Sequence, residues 1–121
     1  MSAKDLMEYD NWIVVGDVEN NEKYASKILA KFSANGYNVS GVNPRANVKD
    51  AYKSIKEVPY HIDAVDLCIN PKSGIELVKE ADELGIKHIL IQPGAESEEI
   101  LSYCKEHGIE AVEGCALVEL G

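Results

Sequence analysis

Four short segments carry the polar residues able to contact a small molecule: Gly16-Asp17-Val18, Asn43-Pro44-Arg45, Asn70-Pro71-Lys72 and Gln92-Pro93-Gly94. Three of them contain proline, which fixes one backbone angle and offers no N–H. Such turns can simply end strands. Set along one rim, with the Asn and Gln amides between them, they could also grip an adenine or a pantetheine-like chain by shape and backbone polar groups.

The first segment opens a strand–loop–helix unit, "WIVVGDVENNEKYASKILAKF". Dinucleotide-binding loops need glycines for a tight turn and for close approach of a pyrophosphate. Here Gly16 stands alone, with Val18 and Asn21 at the other two glycine positions. The helix that follows still offers free N–H groups to an anion at its N-terminus, although Asp17 and Glu19 oppose one. At the second segment an NAD site needs an acid to accept the ribose hydroxyls. This chain has Asn43-Pro44-Arg45 there, and Arg45 is its only arginine. A guanidinium fork matches phosphate oxygens, so the choice of residue favours a phosphorylated ribose, as in coenzyme A (CoA) or NADP. A solvated surface arginine is the competing explanation.

No catalytic set emerges. His61, His88 and His107 lie away from the four segments, and none is paired by sequence with a nucleophile. Cys68 and Cys104 fall on an apolar strand and an apolar helical face, as packing residues do. Cys115 follows the last strand, where a thiol could approach a bound ligand. The three cysteines show no zinc spacing and are odd in number, which fits reduced thiols in a cytosolic protein.

The elements that must position these segments alternate strand and helix. "WIVVG" is a continuous apolar run, as in a strand buried on both faces. Residues 22–35 put Tyr24, Ile28 and Phe32 on one helical face beside Ala25 and Leu29, and Gly36 suits a left-handed cap. A weaker strand is expected over 37–43. "SIKE" is a capping box, and Pro59 stops its short helix. Strands are expected over 64–70, 87–92 and 109–114. Ser73 and Glu76 match another capping box, opening a helix lined by Ile75, Val78, Ala81 and Leu84. Ser97 caps a helix whose first turn holds Glu98 and Glu99; Ile100, Leu101 and Cys104 face inward. Such alternation predicts one doubly wound, Rossmann-like α/β domain over residues 1–121, with a parallel sheet and right-handed crossovers. In such sheets ligands sit beyond the carboxyl ends of the strands, where the four segments fall.

Bulk properties set the frame. The chain has 121 residues, 45% of them hydrophobic, with a net charge of −9. Length allows a single core. The acidic balance disfavours a broad nucleic-acid surface and requires local groups to hold any anionic ligand. The N-terminal "MSAKDLMEYDNW" lacks the apolar stretch of a secretory signal, no run approaches membrane-spanning length, and no metal-ligand spacing occurs. A cytoplasmic location is the expectation.

Taken in order, "WIVVG", "KYASKILAKFSANGYNVSGVNPR", "AYKSIKEVP", "DAVDLCINP", "ELVKEADELGIKHILIQPGAESEEI" and "GIEAVEGC" resemble the small CoA-binding proteins of the YccU-like kind. These are relatives of the CoA-binding domain of succinyl-CoA synthetase. The resemblance implies a Rossmann-like fold that binds CoA, usually without a known reaction. It implies binding roles for Gly16, Tyr24, Asn43, Pro44, Arg45, Pro71, Gln92 and Gly94. The sequence departs from the family at Val18, where a serine is common, and at Ile69 and Asn70, where arginines are frequent and Lys72 is the nearest cation. Ala116 replaces a common proline. The expected function is binding of CoA or an acyl-CoA by a domain that catalyses nothing alone, at a site comprising Gly16, Asp17, Val18, Tyr24, Asn43, Pro44, Arg45, Asn70, Pro71, Lys72, Gln92, Pro93 and Gly94. A protein–protein interaction module with a vestigial site, an NADP-type binder and a thiol-dependent acyl carrier using Cys115 are the alternatives.

Overall fold

The computed structural model describes residues 2–45 and 51–121. Five short strands form one sheet: β1 (Asn11–Val15), β2 (Asn38–Val42), β3 (Ala64–Leu67), β4 (His88–Ile91) and β5 (Glu110–Glu113). Every neighbouring pair is parallel, and the order across the sheet is β2-β1-β3-β4-β5. The chain builds away from β1 in one direction, then returns past it and builds in the other. The reversal lies between β1 and β3, where a doubly wound sheet opens a crevice at its carboxyl edge. This is the Rossmann-like α/β architecture that the alternating pattern predicts.

The strands are nearly pure apolar runs because helices cover both faces. Ile13, Val15, Val65, Leu67, Ile89 and Ile91 pack on one face against Ile75 and Val78 of α3 (Pro71–Glu83) and Ile100 of α4 (Glu98–Glu106). On the other face Trp12, Val14, Ala64 and Leu90 meet Ile28 and Phe32 of α2 (Tyr24–Ala34). Two short helices that the sequence pattern does not announce complete that second face: α1 (Ala3–Leu6), through Leu6, and α5 (Ala116–Glu119), through Ala116. A capping box between Ser2 and Asp5 opens α1. Gly114 is needed beneath it, since a Cβ there would lie 2.8 Å from that of Ala3.

Several local expectations are corrected. The third strand stops at Leu67 rather than running to residue 70, because α3 starts earlier than the Ser73–Glu76 pattern implies. Asn70 is its cap, with Oδ1 accepting from the Ser73 N–H at 3.1 Å. Pro71 takes the first helical position, where its missing N–H costs nothing. Ser73 therefore sits in the first turn of α3 as the donor to that cap. Leu84 does not line α3; it is the C-cap residue and half-exposed, because Gly85, at φ +78°, turns the chain away from the core. The Ser54–Glu57 capping box forms as expected, on a single 3-10 turn over Ile55–Glu57.

Candidate functional site

All four polar segments emerge at the carboxyl edge of the sheet, and a cavity of about 500 Å³ lies among them. From β2 it is lined by Asn43 and Arg45, from the β1 loop by Asp17, and from the start of α2 by Lys23, Tyr24 and Ala25. The β3 end contributes Cys68, Ile69 and Asn70; the β4 end contributes Gln92, Pro93, Gly94 and Ala95; Cys115 closes the side next to α5. Arg45 and Gln92 stand at opposite ends of this row, because β1 and β3 separate their strands.

Each proline corner is fixed differently. Asn43 is buried, and its Oδ1 accepts the Arg45 N–H at 3.2 Å, closing an Asx turn around Pro44. Asn70 and Pro71 form the cap and first position of α3. Gln92 to Ala95 make a tight turn closed by the Ala95 N–H on the Gln92 carbonyl at 2.9 Å. Pro93 at its second position and Gly94 at φ +94° give it the form of a type II turn. The Gly94 N–H donates to Glu96 Oε2 at 2.7 Å.

The first loop works through packing. A Cβ on Gly16 would lie 2.7 Å from the Cys68 carbonyl oxygen and 3.1 Å from Ala25 Cβ. Only glycine lets the loop cross the end of β3 this closely. Val18 lies buried over Gly41 of β2, whose absent Cβ would sit 2.6 Å from a Val18 methyl. Neither residue lines the cavity; they hold its wall. Pro44, Pro71 and the exposed Lys72 also lie outside the lining. Tyr24 departs from its expected place on the apolar face of α2. It is 68% exposed and stands at the cavity mouth, with Lys27 Nζ 5.8 Å from its ring centroid. The N-cap of α2, Lys23, makes no side-chain capping bond, and Lys23, Tyr24 and Ala25 at the start of this 11-residue helix line the cavity, at the end of a helix that favours an anion.

Cys68 packs against the second core as expected and has a further place as well. One residue beyond β3, held by its N–H on the Val15 carbonyl at 2.8 Å, it is only half-buried and lines the cavity. Burial, with smaller contributions from Asp66 and Cys115, pushes its thiol up to about 12. Cys104 is buried within the core, and burial followed by Asp82 raises its thiol to about 11. Cys115 also lines the cavity. Beneath the floor lies Asp66, fully buried in β3, a residue the sequence pattern did not single out. Its Oδ1 accepts from Gln92 Nε2 at 2.6 Å. Burial raises this carboxyl to about 7, opposed by the Gln92 bond. A lone acid in an apolar strand was its signal in the sequence. Its partner, one strand over, could not be found without the register. Lys23, Ala25, Ile69 and Ala95 gave no chemical signal; only their places in the fold bring them to the cavity.

The lining thus combines aromatic and aliphatic surface, two cations against one acid, and the start of α2, whose N-cap side chain makes no capping bond. That is an arrangement for binding an extended, partly apolar anion. The family of CoA binding domains matches residues 10–121. The chain belongs to that family. Several solved structures are similar to it in fold. A conserved hypothetical protein from Pyrococcus furiosus is 36% identical over 92% of this chain and 99% of its own, at a TM-score of 0.82. A hypothetical protein from Pyrococcus horikoshii OT3 is 27% identical over 98% and 89%, at 0.85. An acetyl-coenzyme A synthetase from Candidatus Korarchaeum cryptofilum, solved with phosphate and ADP, shares the fold at 21% identity and a TM-score of 0.66. The match covers 89% of this chain but 27% of the synthetase. Among the described residues no helix is long and apolar enough to cross a membrane.

Proposed function

We propose that residues 1–121 act as a single cytoplasmic domain that binds CoA or an acyl-CoA in this cavity and catalyses no reaction alone. The observation that carries the reading is the joining, at the switch point of the sheet, of the α2 N-terminus to a cavity bearing Lys23 and Arg45. In a chain of net charge −9, an anion needs such local help. The cavity also has the apolar length that an inorganic anion would not use. Family membership supports the choice of CoA among nucleotides.

In this reading the first-turn amides of α2 face the diphosphate, and Lys23 stands beside it. Arg45 approaches the ribose phosphate from the β2 end. The remaining length, along Ile69, Pro93 and Ala95 toward Cys115, takes the pantetheine arm. Asp17 opposes the anion and holds the affinity down. Val18, buried over Gly41, contributes no hydroxyl to a phosphate.

The test is a comparison of CoA, acetyl-CoA, NADP, NAD and ATP by titration calorimetry and thermal unfolding. CoA or acetyl-CoA is expected to bind, and at a hundredfold excess over its dissociation constant to stabilise the fold by about 2.7 kcal/mol. Arg45→Ala is expected to weaken CoA binding roughly tenfold, the scale of one charge-assisted contact. Added salt should weaken it further. Binding of NADP alone would replace the proposal with the NADP reading; stabilisation by none of the five would favour an interaction module.

A further inference from the structure

Asp66 is fully buried and sits in the middle of β3, on the sheet face covered by α2 and α5. A carboxylate in such a place is costly unless its oxygens are bonded. One is: Oδ1 accepts from Gln92 Nε2 at 2.6 Å. The other, Oδ2, is buried without a hydrogen-bond partner among the described residues. A sheet stabilised only by packing gains nothing from this arrangement. The register explains the geometry. Asp66 pairs with Leu90, so Gln92 lies diagonally above it on the same face, level with Cys68. The Gln92 N–H bonds the Leu67 carbonyl at 3.0 Å, which locks the backbone beneath the side chain. Gln92 is itself buried, yet it forms part of the cavity wall.

An amide side chain has one donor end and one acceptor end. With the amino end committed to Asp66, the carbonyl is the end left for the cavity. We propose that Asp66 is a positioning residue for ligand recognition: it turns the Gln92 carbonyl into the cavity, so that this wall accepts a hydrogen bond from an N–H of the ligand. This rests on the reading of the cavity as a CoA site. Arg45 marks the ribose-phosphate end, three strand positions away, roughly 14 Å at the usual interstrand spacing. The ligand part that reaches Gln92 is therefore the pantetheine arm, whose two amides supply N–H donors.

Two measurements decide this, one with ligand and one without. In the unliganded protein the Gln92 side-chain amide protons, followed by NMR, should show one proton shifted downfield and protected from exchange. That signature should be lost in Asp66→Leu and kept in Asp66→Asn, whose side-chain oxygen still accepts. With ligand, Asp66→Leu should bind CoA three- to tenfold more weakly, in keeping with one lost hydrogen bond. It should bind adenosine 3′,5′-bisphosphate, which lacks the pantetheine arm, as the wild type does. Asp66→Asn should return CoA affinity to within about twofold of wild type. Should Asp66→Leu fail to fold, Gln92→Leu must show the same loss confined to CoA. Equal weakening of both ligands, or no weakening of CoA, overturns the proposal; so does an amide signature indifferent to Asp66. Failure of the wild type to bind CoA overturns the CoA reading and with it the recognition role, while the amide signature still reports whether Asp66 orients Gln92.

Discussion

At the scale of the residue, buried chemistry sets two measurable behaviours. Asp66 holds its proton to about pH 7 in the folded chain, against an ordinary value of 3.8. Between those values the folded state binds more protons than the unfolded state, so stability falls as pH rises. The stabilisation is complete below about pH 4 and is lost as pH passes through 7, a difference on the order of 4 kcal/mol. Asp66→Asn, which does not titrate, is expected to flatten this slope in urea unfolding followed from pH 5 to 8. Equal slopes in the two proteins would refute the assignment. The thiols give the second behaviour. The Cys68 thiol is pushed up to about 12 and that of Cys104 to about 11, so neither supplies thiolate near neutrality. Iodoacetamide should therefore modify Cys115 first, and bound CoA should slow that reaction; modification of Cys68 before Cys115, read by peptide mass spectrometry, would contradict it. Little of this was legible in the sequence. The packing of Cys68 was readable but its place in the cavity wall was not, because the strand's end depends on where α3 begins; Asp66 has meaning only beside Gln92.

At the scale of the element, the periodicities and caps were readable, and the side-chain directions at loop ends were not. The five parallel strands and three long helices follow from apolar runs, helical spacing and glycine caps. The Ser97 cap of α4 was visible as written, its Oγ accepting from the Ile100 N–H at 3.1 Å. Asn70 was hidden because a Ser–Glu pair three residues on offered a rival cap. The Asn-Pro step itself carried the better signal, since proline suits the first helical position. Val18 and Gly16 were read as ligand-facing because nucleotide loops use those positions. The contact of Val18 with Gly41 is long-range and cannot be seen in local spacing. A prediction belongs here. Gly16→Ala forces a methyl to within 2.7 Å of the Cys68 carbonyl, a backbone atom that cannot rotate away. The expected loss is about 1–3 kcal/mol of stability, together with weaker CoA binding, because the displaced backbone is the cavity wall. Unchanged denaturation midpoints would show that the loop has more room than this packing allows.

For the whole molecule, the strand order turns scattered residues into a site. Gly16, Asn43, Cys68 and Gln92 each follow directly on the end of a strand, and parallel pairing brings all four to one edge. The acidic net charge left a cationic pocket unannounced, yet the few cations near the crevice, Lys23 and Arg45, are where an anion would need them. The alternation of strands and long helices was therefore legible from pattern alone, whereas α1, α5 and the composition of the cavity wall needed the three-dimensional structure. The most direct test of the central claim is a map of amide chemical-shift changes as CoA is added to the isotopically labelled chain. The account predicts that the largest changes cluster at residues 16–25, at Asn43 and Arg45, at residues 68–70, at Gln92, Gly94 and Ala95, and at Cys115. Changes centred instead on the second hollow, between Leu29, Ser33, Val39 and Tyr52, would contradict it.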